Sequence, residues 1–425
     1  MKVFKYPTEP EWESILRRPV LDHSSLRGTV QEIMDQVKQR GDDALRDYTL
    51  RFDGITVDHF EITGDEINAA VQKVSAELKT AMQQAAANIR RFHEAQVQQP
   101  EVIETMPGIR CWRSAVGIEK VGLYIPGGSA PLFSTVLMLG IPAMIAGCRE
   151  IILCSPPDKQ GNLHPAVIYA AQLTGINRIF KVGGVQAIAA MTYGTASIPA
   201  VFKIFGPGNQ FVTAAKQLAQ QSGVAIDMPA GPSEVAVFAD DTANPDFVAA
   251  DLLSQAEHGI DSQVILVTTS EQLIGRVQES ISNQLNSLPR KDIAAGALAN
   301  SSIILVRHEA EAMDLLNRYA AEHLILSCER AESLAAKVIN AGSVFIGHYS
   351  PESAGDYASG TNHTLPTNGY ATAYSGVSLD SFVKKITFQQ LSDDGLKNIA
   401  KTVTVMAYEE GLAAHARAVE VRINN

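Results

Sequence analysis

The sequence predicts an α/β protein with two domains, each built around a parallel β-sheet. From about Ile118, short β-rich runs alternate with helical runs, a pattern typical of parallel strands covered by helices. A second alternating series begins at Glu234. The chain has 425 residues, which exceeds the size at which a single core stops growing. Length and periodicity therefore both favour two α/β domains.

The region before the first strand is predicted to be helical, over residues 28–97. Thr29 is expected to cap a helix over 30–40, and Thr63 and Glu66 have the spacing of a capping box. A long amphipathic run over 75–95 predicts a further helix. We therefore expect a helical N-terminal segment.

The first α/β series contains five predicted strands and four predicted helices. The strands are expected at 118–125, 149–154, 177–182, 201–205 and 223–227, and the helices at 134–146, 165–174, 185–193 and 209–221. Three Gly-rich turns follow strands, at 125–129, 182–186 and 205–209. Turns of this kind lie at the carboxyl ends of parallel strands, where helix N-termini offer amide donors to phosphates. They indicate either a nucleotide site or simply tight turns, and none matches the G-x-G-x-x-G fingerprint.

The second series predicts five more strands, with a helix carrying Gln255 and His258 between the first two. The strands are expected at 234–238, 263–268, 302–306, 323–327 and 343–346. Residues 348–380 are rich in Gly, Ser, Thr, Asn and Tyr and predict a long ordered loop, which in a compact protein is usually functional. The tail over 393–421 is predicted to be mostly helical.

Composition excludes several classes of protein. The content of 46% hydrophobic and 19% charged residues is that of a soluble globular protein. A net charge of −11, without a Lys or Arg run, argues against a nucleic-acid partner. The most apolar stretch, 132–146, is too short to span a bilayer and the start lacks a signal peptide, so we expect a cytoplasmic protein with no membrane partner. The four cysteines have no paired spacing and are expected to be reduced and structural: Cys111, Cys148, Cys154 and Cys328.

Four polar residues are candidates for a metal site. Gln255 and His258 are three residues apart in a predicted helix, and such residues share one helix face. With Asp356 and His415 they supply two imidazoles, a carboxylate and an amide oxygen. This set suits Zn²⁺, with Mn²⁺ or Co²⁺ as imitators. Each residue taken singly is also compatible with an ordinary hydrogen-bonded polar side chain.

Glu322 and His323 are candidates for an acid–base pair. Adjacent residues on a regular strand point to opposite faces, so the two can share a site only at an irregular strand entrance. An imidazole can take an alcohol proton near neutral pH, and a carboxylate beside it can activate water or orient the ring. A charged helix terminus is the alternative interpretation. No cysteine has the partnered histidine that would mark a reactive thiolate, and we expect none to act as a nucleophile.

Five segments together resemble the histidinol dehydrogenase family, at 121–128, 205–209, 227–234, 252–259 and 350–366. The resemblance extends from about residue 25 to the end of the chain. It implies two incomplete Rossmann-like domains of the aldehyde dehydrogenase-like superfamily, with a helical N-terminal segment and a helical C-terminal tail. The implied divisions are an N-terminal arm at 1–24, a first domain at 25–123 with 233–380, an inserted NAD-side domain at 124–232 and a tail at 381–425.

The resemblance also implies a role for each candidate residue. It makes Gln255, His258, Asp356 and His415 the ligands of one zinc ion per subunit, and it makes Glu322 and His323 the catalytic acid–base pair. The implied substrate-binding residues are Ser233, His363 and Glu410, together with the four zinc ligands and His323. The implied NAD-binding residues are Tyr124, Gln186 and Asn209.

The implied reaction is the four-electron oxidation of L-histidinol through histidinal to L-histidine with two NAD⁺, the last two steps of histidine biosynthesis. The family further implies a homodimer in which the tail of one subunit supplies Glu410 and His415 to the other subunit's site. Two alternatives differ in function. One is a paralogue that oxidises another polar alcohol, and the other is a catalytically silent scaffold that binds a metal or a nucleotide.

Overall fold

The computed structural model describes residues 1–19, 24–127, 131–229 and 231–424. The chain begins with the elements β1 Lys2–Lys5, α1 Glu9–Ile15, α2 Ser24–Arg40, α3 Asp42–Asp53, α4 Gly64–Lys73, α5 Ala76–Glu94, β2 Val102–Met106 and β3 Ile109–Gly117. The predicted capping box is confirmed, since Thr63 accepts from the Glu66 N–H and Glu66 accepts from the Thr63 N–H. The prediction that Thr29 caps a helix is wrong, because α2 begins at Ser24 and Thr29 lies inside it.

The first α/β unit follows the sequence prediction closely. Its elements are β4 Lys120–Tyr124, α6 Phe133–Ile145, β5 Glu150–Ser155, α7 Pro165–Leu173, β6 Arg178–Lys181, α8 Gly184–Tyr193, β7 Lys203–Phe205, α9 Gln210–Gln221 and β8 Ala225–Ile226. The five parallel strands lie in the order β6-β5-β4-β7-β8. Helices cover both faces, which is why the strands are short and continuously apolar. Part of the Gly-rich turn at 125–129 lies outside the described residues.

The N-terminal helices share the core of this five-stranded sheet. Helix α2 packs on α8 and α9, α4 packs on α7, and α5 packs on α6. Met34 and Leu45 are buried with Ile188, and Ile89 is buried with Leu137. The domain divisions implied by the family resemblance remain a prediction.

The second unit contains β9 Glu234–Ala239, α10 Pro245–Ala256, β10 Gln263–Thr268, α11 Glu271–Leu285, α12 Lys291–Ala299, β11 Ser302–Leu305, α13 Glu309–Tyr319, β12 His323–Ser327, α14 Ala331–Ala335, β13 Ser343–Ile346 and α15 Glu352–Tyr357. Its five strands and the N-terminal β1 form one parallel sheet of six strands, in the order β1-β11-β10-β9-β12-β13. Helix α10 ends at Ala256, so the expectation that Gln255 and His258 share a helix face is wrong. His258 instead lies in the next turn, and its N–H donates to the Gln255 carbonyl at 3.2 Å.

A third sheet carries the C-terminal tail. Strand β14 Val383–Leu391 pairs antiparallel with β3, which pairs antiparallel with β2, and helices α16 Asp393–Glu409 and α17 Ala413–Ile423 follow. The helical prediction for 393–421 is confirmed. The helical tail is preceded by a strand that the sequence did not predict, since β14 pairs with the nine residues of β3. Within the described ranges, no helix is long and apolar enough to cross a membrane.

Candidate active site

A cleft of about 780 Å³ lies between the two α/β units. One wall is the turn over 206–209 after β7, at the carboxyl edge of the five-stranded sheet. The opposite wall includes Ser233, His258, Glu322 and His363 from the second unit. The strands β9 and β12 are parallel neighbours, so the residues at their amino ends meet at one edge of the six-stranded sheet. The sequence-predicted polar residues of this unit therefore face the Gly-rich turn of the first unit across the cleft.

Glu322 and His323 lie at an irregular strand entrance, as the sequence requires. Ala320 ends α13 in the left-handed conformation, with φ of 52°, and β12 begins at His323. The Glu322 Oε2 atom accepts from the Glu234 N–H at 3.0 Å and lies 3.8 Å from His323 Nδ1. His323 Nε2 lies 3.5 Å from Asp356 Oδ1 and has no hydrogen-bond partner of normal geometry. The pair is thus buried and close enough to act together.

Burial and mutual charge shift the pKa values of this pair. Burial raises the pKa of Glu322 to about 8. Burial opposes protonation of His323, but the Glu322 and Asp356 carboxylates outweigh it and raise the pKa of the ring to about 10. Burial likewise opposes ionisation of Asp356, yet His323 beside it brings the pKa of that carboxyl below its usual value. Strongly shifted pKa values in a cleft mark these residues as a candidate functional site.

Three donor atoms converge next to this pair. Ligand atoms from His258, Glu352 and Asp356 all lie within 4.8 Å of one another. Glu352 and Asp356 are four residues apart on α15, and therefore on one helix face. Glu352 was not among the sequence candidates. Its carboxyl is buried, and burial raises its pKa to about 8.

Gln255 lies at the edge of the same group. Its hydrogen bonds favour the amide orientation in which the nitrogen donates to Glu352 Oε1 at 2.6 Å and the oxygen accepts from the Glu234 N–H at 3.1 Å. Ser254, the preceding residue, also donates to Glu352, at 3.2 Å. The structure therefore brings together three of the four predicted metal ligands, Gln255, His258 and Asp356, and adds Glu352.

The remaining predicted substrate residues are divided between the cleft and the tail. Ser233 and His363 line the cleft. Glu410 caps the C-terminus of α16 and His415 lies on α17, and both side chains are exposed. His415 does not belong to the group formed by His258, Glu352 and Asp356 within this chain. A single subunit therefore does not bring all the predicted residues together.

The three predicted NAD-binding residues lie on the first unit. The Tyr124 hydroxyl accepts from the Gly184 N–H at 3.1 Å, and Gln186 is buried with no partner for its side-chain oxygen. Asn209 lines the cleft and caps α9 by accepting from two backbone N–H groups. Gly206 closes the turn tightly, because a Cβ there would collide with the Tyr124 carbonyl. Tyr124 and Gln186 thus meet around Gly184, while Asn209 lies on the cleft wall.

Three of the four cysteines are buried, and Cys111 is half-buried. All four are free thiols. Burial raises the pKa of Cys148 to about 11 and that of Cys328 to about 12, and it also raises the pKa of Cys154. Cys328 follows the carboxyl end of β12, at the opposite edge of the sheet from His323. These environments disfavour a thiolate nucleophile.

Comparison with known proteins gives one consistent result. A family model described as histidinol dehydrogenase matches residues 16–423. The histidinol dehydrogenase of Bacteroides thetaiotaomicron is 60% identical over 424 residues, covering 100% of this chain and 99% of the relative. That of Vibrio parahaemolyticus is 50% identical, covering 99% and 97%.

Solved structures give the same result and confirm the predicted fold class. The crystal structure of histidinol dehydrogenase from Elizabethkingia anophelis matches with a TM-score of 0.98 and 55% identity, covering 100% of this chain and 98% of that one. Bradyrhizobium japonicum Proline Utilization A matches with a TM-score of 0.50 and 13% identity, covering 91% of this chain and 46% of that one, which is a likeness of fold alone. The chain belongs to the histidinol dehydrogenase family, a family of oxidoreductases.

Proposed function

We propose that this protein oxidises L-histidinol to L-histidine through histidinal, with two NAD⁺ accepting the two hydrides. The observation that carries the proposal is the buried Glu322–His323 pair beside the donor group of His258 and Asp356, in the cleft between the units. Family membership supports the same reaction. The protein would then act in the last two steps of histidine biosynthesis, and we expect it in the cytoplasm.

The acid–base pair has the residue types that both oxidation steps need. Each step removes a proton from an O–H group as a hydride leaves the same carbon, and neutral His323 is the base for that proton. A cation held at Asp356, 3.5 Å from the ring, would oppose the protonation of His323 that the nearby carboxylates favour. The second step first requires water to add to the aldehyde. Glu322 activates that water and holds a proton at its carboxylate while the hydrate forms. The aldehyde thus needs no thioester intermediate, which agrees with the raised thiol pKa values.

The donor set fits a divalent metal. Zinc takes nitrogen and oxygen ligands, and the half-buried Asp356, whose lowered pKa keeps it ionised, carries negative charge that a cation would offset. His258 and Asp356 would hold the ion, together with Gln255 once its amide turns to present the oxygen, and His415 of the partner subunit would complete the set. When bound, the zinc would grip the imidazole and amino nitrogens of the substrate, an orienting role without redox chemistry. His323 would then face the hydroxyl of a substrate held in one position for both steps.

The binding residues divide between the two walls of the cleft. Ser233 and His363 would contact the amino alcohol on the wall that carries His323. Tyr124, Gln186 and Asn209 would contact NAD at the carboxyl edge of the five-stranded sheet, where open α/β sheets bind their ligands. The carbinol carbon of L-histidinol and the nicotinamide ring of NAD⁺ would therefore meet between the two walls of the cleft. Correct mutual orientation of this kind can contribute about 7–11 kcal/mol at its upper limit.

We further propose a homodimer whose tails complete each other's sites. Glu410 and His415 are exposed in the single chain, and the tail carries exposed apolar side chains at Val405, Met406, Tyr408, Leu412 and Val421. A patch of this kind is typical of a surface that another subunit covers. In the dimer, Glu410 of the partner subunit would bind substrate.

One assay tests the reaction and the metal together. Purified protein with L-histidinol and NAD⁺ should form two NADH per substrate, and a chelator should abolish the activity until Zn²⁺ is restored. His258→Ala should lose bound zinc and turnover together, whereas His164→Asn, which changes an exposed helix cap that does not line the cleft, should keep both. Wild-type protein without NADH formation would contradict the proposed reaction. Stoichiometric zinc in His258→Ala would contradict the ligand assignment.

A further inference from the structure

Helix α6 contains a proline that frees one of its backbone carbonyls. Pro142 lies inside the helix and has no N–H. The carbonyl four residues earlier, that of Met138, therefore has no helical partner. Asn362 of the second unit supplies the missing donor, since its Nδ2 atom donates to the Met138 oxygen at 2.5 Å. Asn362 is buried, and its Oδ1 atom accepts from the Thr364 N–H at 3.0 Å, so both ends of its amide are engaged.

His363, which lies between Asn362 and Thr364, is hydrogen-bonded at both ring nitrogens. Its Nδ1 atom lies 2.8 Å from the backbone carbonyl of Asp356. A carbonyl can only accept, so Nδ1 carries the hydrogen and Nε2 of the neutral ring is an acceptor. The Thr135 hydroxyl lies 3.0 Å from Nε2 and is its donor. Thr135 is itself buried on α6.

These two contacts come from one face of one helix. Thr135 and Met138 are three residues apart on α6, and residues at this spacing are neighbours on the helix surface. Helix α6 covers the five-stranded sheet, whereas residues 362–364 belong to the loop that follows α15 in the second unit. The contacts therefore join the proposed NAD wall of the cleft to the proposed substrate wall.

We propose that Thr135 and the proline-freed carbonyl of Met138 form a docking platform that positions His363 in the substrate site. The Asn362 amide fixes the backbone on either side of His363, and the Thr135 hydroxyl fixes the plane of the ring. Thr135 and Asn362 are then positioning residues that act through His363. The inference rests on the proposed function, in which His363 contacts the amino alcohol.

Two nearly isosteric variants separate these contacts from general packing. Asn362→Asp keeps the acceptor for Thr364 but replaces the donor with a carboxylate that faces a carbonyl oxygen. Thr135→Val removes only the ring contact, and Thr135→Ser restores it. Thr192→Val is the matched control, since Thr192 is a buried threonine whose hydroxyl bonds only within its own helix, to the Ile188 carbonyl.

Each platform variant should raise the KM for L-histidinol about 3- to 10-fold, the size expected from one lost hydrogen bond, with little change in the KM for NAD⁺ or in bound zinc. Thr135→Ser and Thr192→Val should remain close to wild type. In a His363→Ala background, Asn362→Asp and Thr135→Val should have no further effect, because residues that act through one partner are not additive. Additive effects in that background would overturn the proposal.

Crystal structures of the variants provide a test that does not depend on turnover. In Asn362→Asp the segment 362–364 should shift away from α6, and in Thr135→Val the His363 ring should rotate. An unmoved ring in both variants would overturn the platform, whatever the substrate. If wild-type protein neither binds nor oxidises L-histidinol while the rings do move, the proposed function fails and the platform stands.

Discussion

Glu322 and Glu352 are two buried carboxyl groups that lie in the same cluster of acids and histidines but have different neighbours. Glu322 lies 3.8 Å from the His323 ring and accepts a backbone N–H, whereas Glu352 accepts from Ser254 and from the Gln255 amide. Only Glu322 also lines the open cleft, so only it can reach a water beside the substrate. The geometry therefore favours a chemical role for Glu322 and a metal-side role for Glu352.

The proposed division of labour between Glu322 and His323 predicts unequal effects on the two half-reactions. Glu322→Gln keeps size and hydrogen bonding but removes the base for hydration, so it should slow oxidation of histidinal far more than oxidation of histidinol. His323→Asn should slow both steps, since both lose an O–H proton. Loss of a positioned base costs about 10² to 10⁴ in rate. The measurement is NADH formed from each substrate supplied separately to folded, zinc-loaded variants. Equal losses in both steps for Glu322→Gln would leave Glu322 as a group that only orients His323.

The residues that sequence reasoning missed are those whose role depends on contacts across the fold. Glu322, His323 and Asp356 stood out because polar residues interrupt an apolar or Gly-rich context. Glu352 follows Pro351 in the segment predicted to be a loop, where its immediate neighbours do not distinguish it from an ordinary solvated acidic residue. Its nearest partners are about 100 positions away along the chain, at Ser254 and Gln255. The one local signal for Glu352 is its spacing of four residues from Asp356, which places both on one face of a helix.

At the scale of elements, helix α5 carries a buried titratable group that the proposed chemistry does not use. His93 has no exposed surface, its Nδ1 atom is hydrogen-bonded to the Ile89 carbonyl, and its Nε2 atom has no partner. Burial lowers the pKa of this ring below its ordinary value of 6.5. The folded state therefore resists protonation at His93, whereas the unfolded chain accepts the proton near pH 6.5.

This difference in pKa between the folded and unfolded states predicts that His93 makes the free energy of unfolding depend on pH. Below about pH 6.5 the unfolded state binds more protons than the folded state, so stability falls as the pH falls, by at most about 1.4 kcal/mol per pH unit for one group. His93→Leu should lose this contribution, and its urea midpoint should decline less than that of wild type between about pH 7 and pH 5. His59→Leu, at an exposed histidine, serves as the control and should follow the wild-type profile. A parallel decline in His93→Leu and wild type would contradict the prediction.

The elements that the sequence predicted well are those with a buried face. Strands β4 and β5 and helices α6 and α8 are apolar runs whose residues are largely buried, and their hydrophobic patterns alone locate them. The strands that were missed are mostly exposed. Strand β1 has four residues, of which three are exposed, and every residue of β2 is exposed. Such strands exist because a partner strand supplies hydrogen bonds, and that information is not contained in local periodicity.

At the scale of the whole molecule, the tail has a scaffold of its own. Strand β14 anchors it to β3, Asn398 of α16 donates to the Pro107 carbonyl, and α17 packs on α16. The tail is thus connected to the two α/β units through the antiparallel sheet of β2, β3 and β14. This sheet also has exposed apolar side chains, at Ile103, Met106, Ile386, Phe388 and Leu391. Exposed apolar side chains on both the sheet and the tail support the homodimer proposed above.

If the tail acts in trans, two inactive variants should complement each other. In a mixed dimer of His258→Ala and His415→Ala, one site carries both lesions and the other carries none. Half of the dimers formed at random are mixed and each has one intact site of two, so about a quarter of wild-type activity should return. Mixing His258→Ala with Asp356→Ala is the matched control and should restore nothing, because both lesions lie in the same subunit's part of the site. Subunit exchange is verified separately with differently tagged chains. If exchange occurs and His258→Ala with His415→Ala still yields no activity, His415 does not reach across the dimer, and the exposed tail must serve assembly alone.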